Sequence, residues 1–317
     1  MKILVTGSSG FIGGKFVELA ESQGDTCIKQ VRTPKNDQKG TYDFVAELAS
    51  ETDWSTALEG VKCVVHCAAL VHQTQVRCPL DLYRKSNTQG TIALANQAAE
   101  NGVEHFVFLS SIKVNGECTE IGHPFTASVK TPPIDPYGLS KFEAEIALKE
   151  IYERTGMKVT IIRPPLVYGP GVKANFRSML KILHKGIPLP LRNTRNHRSL
   201  VYVGNLVDLL WQCTRKKNSG CETYLVSDGT DVSTSQLLVD IGEALGKPAK
   251  LLPFPAWVIK LGTSIIGKSG ISERLYGNLQ VDISETTNRL DWVPPYKYKD
   301  ALRSTVKHYV DNLKINK

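Results

Sequence analysis

Residues 2–13 read Lys2-Ile3-Leu4-Val5-Thr6-Gly7-Ser8-Ser9-Gly10-Phe11-Ile12-Gly13, and this stretch decides the fold. Lys2–Thr6 is a short apolar run of strand type, and Phe11–Ser22 carries apolar residues at helical spacing. Between them stand three glycines in the pattern GxxGxxG. A strand that turns this tightly into a helix needs glycine for the turn, for close approach of backbone to a ligand, and for packing of helix on strand. The free N–H groups at the helix start then carry positive potential, which suits a pyrophosphate. Three glycines alone would fit any strand–helix turn. Their place between a strand and an amphipathic helix makes Gly7, Ser9, Gly10, Phe11, Ile12 and Gly13 candidate ligand contacts.

The same alternation continues downstream. Thr26–Val31, Cys63–Ala68, His105–Ser110 and Lys158–Arg163 read as strands. Leu80–Asn101 and Tyr137–Thr155 read as helices, stopped by Asn101-Gly102 and by Gly156. Strands separated by helices of this length imply right-handed crossovers and an α/β fold with a doubly wound parallel sheet. After Pro164-Pro165 the pattern loosens to one short helix, Phe176–His184, and a Pro/Gly-rich run. Leu200–Val203 and Thr223–Val226 are expected to return to the sheet as strands. From Ser227 onward short helices and loops dominate. A smaller, discontinuous lobe assembled from these later segments would roof a cleft over the carboxyl ends of the strands, where such sheets bind ligands.

Composition narrows the function. Hydrophobic residues make up 41% and charged residues 22%, so a packed core is expected. The net charge is +8, yet the basic residues are scattered and the densest knots are short, which argues against nucleic acid. Seven cysteines, an odd number with no CxxC pair, indicate neither a disulfide framework nor a metal site. Phe254 to Gly267 is the most apolar late stretch, but Lys260 interrupts it and it is too short to span a bilayer. Stable membrane insertion is not expected, and a cytoplasmic location is.

Tyr137-Gly138-Leu139-Ser140-Lys141 is the most specific feature of the chain. Residues four apart share a helix face, so the phenol and the ammonium sit one turn apart. A free tyrosine, with a pKa of roughly 10, is a poor base at neutral pH. A neighbouring ammonium would bring it toward the working range for proton transfer. Tyr and Lys at this spacing are common on helices; here the pair starts the helix after a sheet strand and follows Asp135-Pro136. Ser111, at the end of the His105–Ser110 strand, is the expected third member.

These motifs together resemble the extended short-chain dehydrogenase/reductase family, over essentially the whole chain. Val65-His66-Cys67-Ala68-Ala69 is similar to its HxAA strand, and Asn87-Thr88-Gln89-Gly90-Thr91 to its NxxGT helix. Arg163-Pro164, Tyr168-Gly169-Pro170 and Leu290-Asp291-Trp292-Val293-Pro294 match later signposts. The resemblance implies a Rossmann-type domain at 1–168 and 199–227 and a nucleotide-sugar-binding lobe at 169–198 and 228–317. It implies an NAD(P) cofactor contacted also by Arg32, Glu47, Leu48, Ala68, Ala69, Asn87, Tyr137, Lys141 and Pro164. Arg32 stands at the end of the second strand, where an acidic residue would select NAD, and so leans toward NADP. By the same resemblance Ser111, Tyr137 and Lys141 are catalytic. Ser111, Lys113, Tyr137, Asn175, Arg198 and Arg274 would contact a UDP-sugar. Arginine suits its diphosphate because the guanidinium fork donates two parallel bonds. A homodimer through the two long helices is also implied.

The resemblance implies three functions. The first is reduction at C4 of a UDP-2-acetamido-2,6-dideoxy-4-keto-hexose in surface polysaccharide biosynthesis. It is favoured by departures from the epimerase pattern: Lys113, Asn115 where many epimerases carry tyrosine, and Leu166 where galactose epimerases place asparagine. The second is a UDP-glucose or UDP-N-acetylglucosamine 4-epimerase with tightly held NAD. The third, a non-catalytic dinucleotide sensor, is disfavoured because both Tyr137 and Lys141 are present.

Overall fold

The computed structural model describes residues 1–32, 43–71, 79–216, 220–254 and 275–315. Its framework is a seven-stranded sheet with every neighbouring pair parallel. The strands are β1 (Lys2–Thr6), β2 (Thr26–Val31), β3 (Asp43–Val45), β4 (Cys63–His66), β5 (His105–Leu109), β6 (Lys158–Arg163) and, after two further short strands, β9 (Cys221–Leu225). Their spatial order is β3-β2-β1-β4-β5-β6-β9. The direction of winding reverses between β1 and β4, and there a parallel sheet opens a crevice at its carboxyl edge.

Both faces of the sheet are covered, which is why its central strands are apolar without alternation. On one face Ile3, Val5, Val65, Val107 and Ile162 pack against α1 (Phe11–Ser22) and α7 (Val203–Arg215). On the other, Leu4, Val64, Phe106, Phe108 and Ile161 pack against α4 (Gly90–Glu100) and α5 (Pro136–Thr155). Trp54, just before α2 (Ser55–Leu58), is fully buried in that second layer.

Expected strands and helices fall close to their predicted bounds, with a few instructive differences. The strand expected near residue 200, β8 (Arg198–Tyr202), does not rejoin the main sheet. It pairs in parallel with β7 (Leu166–Tyr168) and antiparallel with β10 (Asp231–Val232) in a separate three-stranded sheet. That sheet shares a core with α6 (Ala174–His184), α8 (Thr234–Ala244) and α10 (Tyr298–Ile315), among them Phe176, Leu180, Leu237, Ile241 and Leu302. A short helix α9 (Ser284–Leu290) precedes α10. The 18-residue α10 is longer than the short helices expected of this region.

The second difference is inside the helix predicted at Leu80–Asn101. It is α3 (Leu80–Tyr83), a π-helical segment at Arg84–Gln89, and then α4. A π-turn inserts an extra residue into the coil and rotates the turns beyond it. Asn87 and Thr88, adjacent in sequence, are thereby both buried. No helix among the described residues is long and apolar enough to cross a membrane. The apolar stretch expected at 254–267 lies, apart from Phe254, outside the described residues, as does Cys78.

Candidate functional site

The glycine loop abuts the end of β4. Gly7 has φ +65°, and a Cβ there would stand 2.9 Å from the Ala68 backbone. A Cβ on Gly13 would stand 2.4 Å from the Gly7 carbonyl oxygen. These two glycines therefore let α1 begin directly beneath the loop, and no side chain caps its N-terminus. Open backbone N–H groups with room for a close ligand are what a dinucleotide pyrophosphate requires, so the residues present fit an NAD-type cofactor. One contributor carries no signal in the sequence. Gln30, 2% exposed, accepts from Gly7 N–H at 2.8 Å and donates to the Ala46 carbonyl at 2.6 Å. It thereby ties the loop to the segment that leads into Glu47 and Leu48. Nothing in the strand pattern of Thr26–Val31 distinguishes Gln30 from a buried filler.

At the end of β4, His66 is completely enclosed and both its nitrogens are used. Thr91 Oγ1 donates to the Asn87 carbonyl at 2.7 Å, so it accepts from His66 Nε2–H at 2.9 Å. Nδ1 is then the acceptor for the Thr6 hydroxyl, at 2.6 Å, and Thr6 Oγ1 accepts from Ala68 N–H at 3.2 Å. Burial, with Lys141 nearby, holds this ring's pKa well below the usual histidine range. His66 is thus a neutral strut that fixes the Ala68 corner. Asn87, expected to touch the cofactor, directs its amide to the protein. It accepts from Leu70 N–H at 2.7 Å and donates to Leu70 O at 3.0 Å and Ser140 Oγ at 3.1 Å. Gly90 has a similar logic, since a Cβ there would meet the Leu48 backbone at 2.9 Å.

The structure brings Ser111, Tyr137 and Lys141 together. Asp135 caps α5 by accepting from Gly138 N–H at 2.9 Å, and Pro136 occupies the first turn. The Ser111 hydroxyl is a hydrogen-bond partner of the Tyr137 phenol. Burial pushes the phenol's pKa up, Asp135 and Tyr83 add to the rise, and Ser111 opposes it. Lys141 donates to the Leu109 carbonyl at 3.0 Å and lies 4.4 Å over the Phe108 ring. Burial brings its pKa down to about 8, against the pull of Cys67 and Glu145. In this protein, then, the group that opposes burial at the phenol is Ser111, and Lys141 is held by the end of β5.

Glu145, one turn past Lys141, makes a buried bidentate pair with Arg163, with Nε–Oε1 at 2.9 Å and Nη2–Oε2 at 2.5 Å. Ser110 Oγ donates to the same carboxylate at 2.5 Å. Arg163 Nη1 reaches Asn115 Oδ1 at 3.1 Å and the Ala127 carbonyl at 2.9 Å. Lys113, expected at the substrate, forms ion pairs with Asp135 at 3.1 Å and Glu117 at 3.2 Å. Its carbonyl lies 2.8 Å from where a Gly138 Cβ would stand, which accounts for that glycine.

The remaining candidates are dispersed around this centre. Pro164 accepts from Ile112 N–H at 3.0 Å through its carbonyl. Arg32 is exposed just past β2, Glu47 is exposed, and Asn175 lies exposed in the first turn of α6. Arg198, on β8, donates to the Gly277 carbonyl at 3.0 Å. Arg274 lies outside the described residues. A groove of about 720 Å³ between α6 and α10, lined by Arg177, Lys181, His184, Tyr309 and Leu313 among others, shares none of these residues. No His/Cys/Asp/Glu cluster able to hold a metal ion occurs among the described residues.

Comparison with known proteins agrees with this geometry. The sequence profile of the NAD dependent epimerase/dehydratase family matches residues 3–227. A UDP-glucose 4-epimerase of Vibrio cholerae is 45% identical over 312 residues, covering 97% of this chain and 95% of that one. The N-acetyl-alpha-D-glucosaminyl-diphospho-ditrans,octacis-undecaprenol 4-epimerase of Escherichia coli O157:H7 is 30% identical, covering 80% of this chain and 76% of that one. Among solved structures, MoeE5 in complex with UDP-glucuronic acid and NAD superposes with a TM-score of 0.79. It is 21% identical and covers 98% of this chain and 100% of that one.

Proposed function

The chain belongs to the NAD dependent epimerase/dehydratase family, and from that premise we propose that it is a UDP-hexose 4-epimerase working with bound NAD. The observation that carries the choice of reaction is its near full-length similarity to a UDP-glucose 4-epimerase. When bound, the nicotinamide supplies a hydride acceptor and donor at C4 of the sugar. The work of the chain's own residues is to hold the ligands and move the proton. The glycine loop and the N-terminus of α1 bind the pyrophosphate of NAD. Tyr137, as the phenolate that the bound nicotinamide cation and the Lys141 ammonium would stabilise, takes the proton from the sugar hydroxyl and returns it, while Ser111 hydrogen-bonds the reacting oxygen beside the phenol. Lys141, anchored at Leu109, is within a turn of Tyr137 and serves the nicotinamide ribose. Arg198 and the start of α6 at Asn175 face the diphosphate.

Two of the three departures that favour a ketoreductase have other employment here. Asn115 is bonded to Arg163, and Lys113 is bonded to Asp135 and Glu117. Neither residue needs a reductase to account for it. Reduction of UDP-2-acetamido-2,6-dideoxy-4-keto-hexose with exchangeable NAD(P)H remains the second reading, favoured by Arg32 at the end of β2. The test is direct. Purified protein is incubated with UDP-glucose, UDP-galactose, UDP-N-acetylglucosamine and UDP-2-acetamido-2,6-dideoxy-4-keto-hexose, with and without added NAD(P)H, and the products are identified. Interconversion without added coenzyme is expected; consumption of NAD(P)H only with the 4-keto sugar would favour the second reading.

A homodimer through the two long helices, Leu80–Asn101 (α3 to α4) and α5, accompanies this proposal. Ile146 on α5 is 45% exposed and Leu82 on α3 is 52% exposed, large apolar groups that an isologous helix pairing would cover. Light scattering should report a dimer at micromolar concentration and a monomer for Ile146→Glu.

A further inference from the structure

We propose that Asn115 is a positioning residue that sets the distance between the Ser111–Tyr137 pair and the diphosphate end of the site. This rests on the reading of Ser111 and Tyr137 as the proton-transfer groups. Asn115 sits in the loop between β5 and α5, and its carboxamide is used on both sides. Oδ1 accepts from Arg163 Nη1 at 3.1 Å, while Nδ2 donates to the Thr126 carbonyl at 2.7 Å and to that of Ser128 at 3.4 Å. Arg163 Nη1 also holds the Ala127 carbonyl at 2.9 Å. One amide and one guanidinium thus grip both ends of the segment 115–128.

Each end of this clamp leads to a different part of the site. Toward α5, the guanidinium meets Glu145 through two parallel charge-assisted bonds, and Glu145 also receives Ser110 Oγ. Ser110 adjoins Ser111, and Glu145 lies on the same face of α5 as Lys141 and Tyr137, at successive spacings of four. Toward the other lobe, the gripped segment is zipped to residues 278–282. Thr119 N–H donates to Asn278 O at 3.0 Å, Phe125 N–H to Gln280 O at 2.8 Å, and Asp282 N–H to Phe125 O at 2.9 Å. That strip in turn holds β8: Ser199 N–H donates to Leu279 O at 2.8 Å, and Arg198 Nη1 to Gly277 O at 3.0 Å. A hydrogen-bonded path therefore runs from Ser110 and Glu145 through Arg163 and Asn115 to Arg198. Asn115 joins its parts with an acceptor and two donors in a single planar group, which a tyrosine at this position could not supply.

The geometry matters because proton and hydride transfer tolerate little misplacement; a shift of about 1 Å can cost on the order of 100-fold in rate. Asn115 is partly exposed, and Asn115→Ala removes no core volume, so the variant should fold. Its kcat for UDP-sugar interconversion is expected to fall on the order of 10- to 100-fold, with a raised KM for the sugar nucleotide and unchanged affinity for NAD. Asn115→Asp keeps an acceptor for Arg163 and should recover part of kcat. Amide hydrogen exchange should rise together in 117–126 and in 278–282 of Asn115→Ala. Unchanged kcat and KM in a wild-type protein that turns over would overturn the proposal, as would a lowered Tm with kcat intact. If the wild type turns over no UDP-sugar, the reaction assignment fails, and exchange then decides alone. A rise confined to 117–126, with 278–282 unaffected, would overturn the coupling.

Discussion

The Lys141 ammonium donates to the Leu109 carbonyl at 3.0 Å, and this bond stitches the start of α5 to the end of β5. The contact comes with burial, which brings the Lys141 pKa from the usual lysine range to about 8. Between pH 8 and the unfolded value near ~10.4 the unfolded chain binds more protons, so stability rises with pH there and the penalty is full below pH 8. A shift of this size corresponds to roughly 3 kcal/mol. Lys141→Met, lacking cofactor, should therefore melt higher than wild type at pH 7, with the advantage shrinking toward pH 10. Calorimetry across this range checks it; an equal loss of stability at both ends would contradict it.

Tyr137→Phe should lower turnover by ~100-fold or more, the usual scale for a lost general acid–base group. The substitution removes only the hydroxyl that partners Ser111, so the protein should still bind nicotinamide. Near-normal turnover in a correctly folded variant would sink the assignment of proton transfer to this residue.

Two enclosed histidines are held neutral and so oppose folding in acid. His66 is held neutral, and His105, donating to or accepting from Thr160 at 2.9 Å, is brought down to about 4 by burial. Below the unfolded value of ~6.5 the unfolded chain takes up protons that the folded chain refuses. Each histidine then costs about 1.4 kcal/mol per pH unit. Urea unfolding between pH 6.5 and 4.5 should show a shallower pH slope in His105→Gln than in wild type. An unchanged slope would mean that carboxylates alone govern the acid side.

Arg32 stands exposed one residue past β2, and on the proposed reading it would meet the adenosine ribose of the coenzyme, where an acidic side chain selects NAD. Arg32→Ala is expected to lower the ratio of NADP to NAD affinity. Titration of both coenzymes measures it, and an unaltered ratio would reduce Arg32 to a surface charge.

Much of this architecture is legible in the residues themselves. The glycine loop, the main strands and the Tyr137–Lys141 pair announce themselves because period, punctuation and spacing are local properties. The features that leave no such mark are non-local. Gln30 looks like any strand residue until the loop folds over it, and the π-turn at Arg84–Gln89 leaves the helical period of Leu80–Asn101 outwardly intact. The strand Arg198–Tyr202 is as apolar as those of the main sheet, but its partners are Leu166–Tyr168 and Asp231–Val232, which periodicity cannot reveal. Asn115 stands out in the sequence only as an exception to a pattern, and its partner Arg163 only as part of a signpost.

The zipper between residues 115–128 and 278–282 also bears on how the protein is made. Thr119 and Gln280 are joined across 161 residues of sequence, a closure that local folding cannot anticipate. On the ribosome the main sheet has all its strands once β9 emerges, and N-terminal units generally fold first. A nascent chain that has reached residue 225 thus carries a nearly complete scaffold around Tyr137, but its wall at 115–128 still lacks the strip that pins it. The wall at 115–128 is thus pinned only once residues 278–282 have been made.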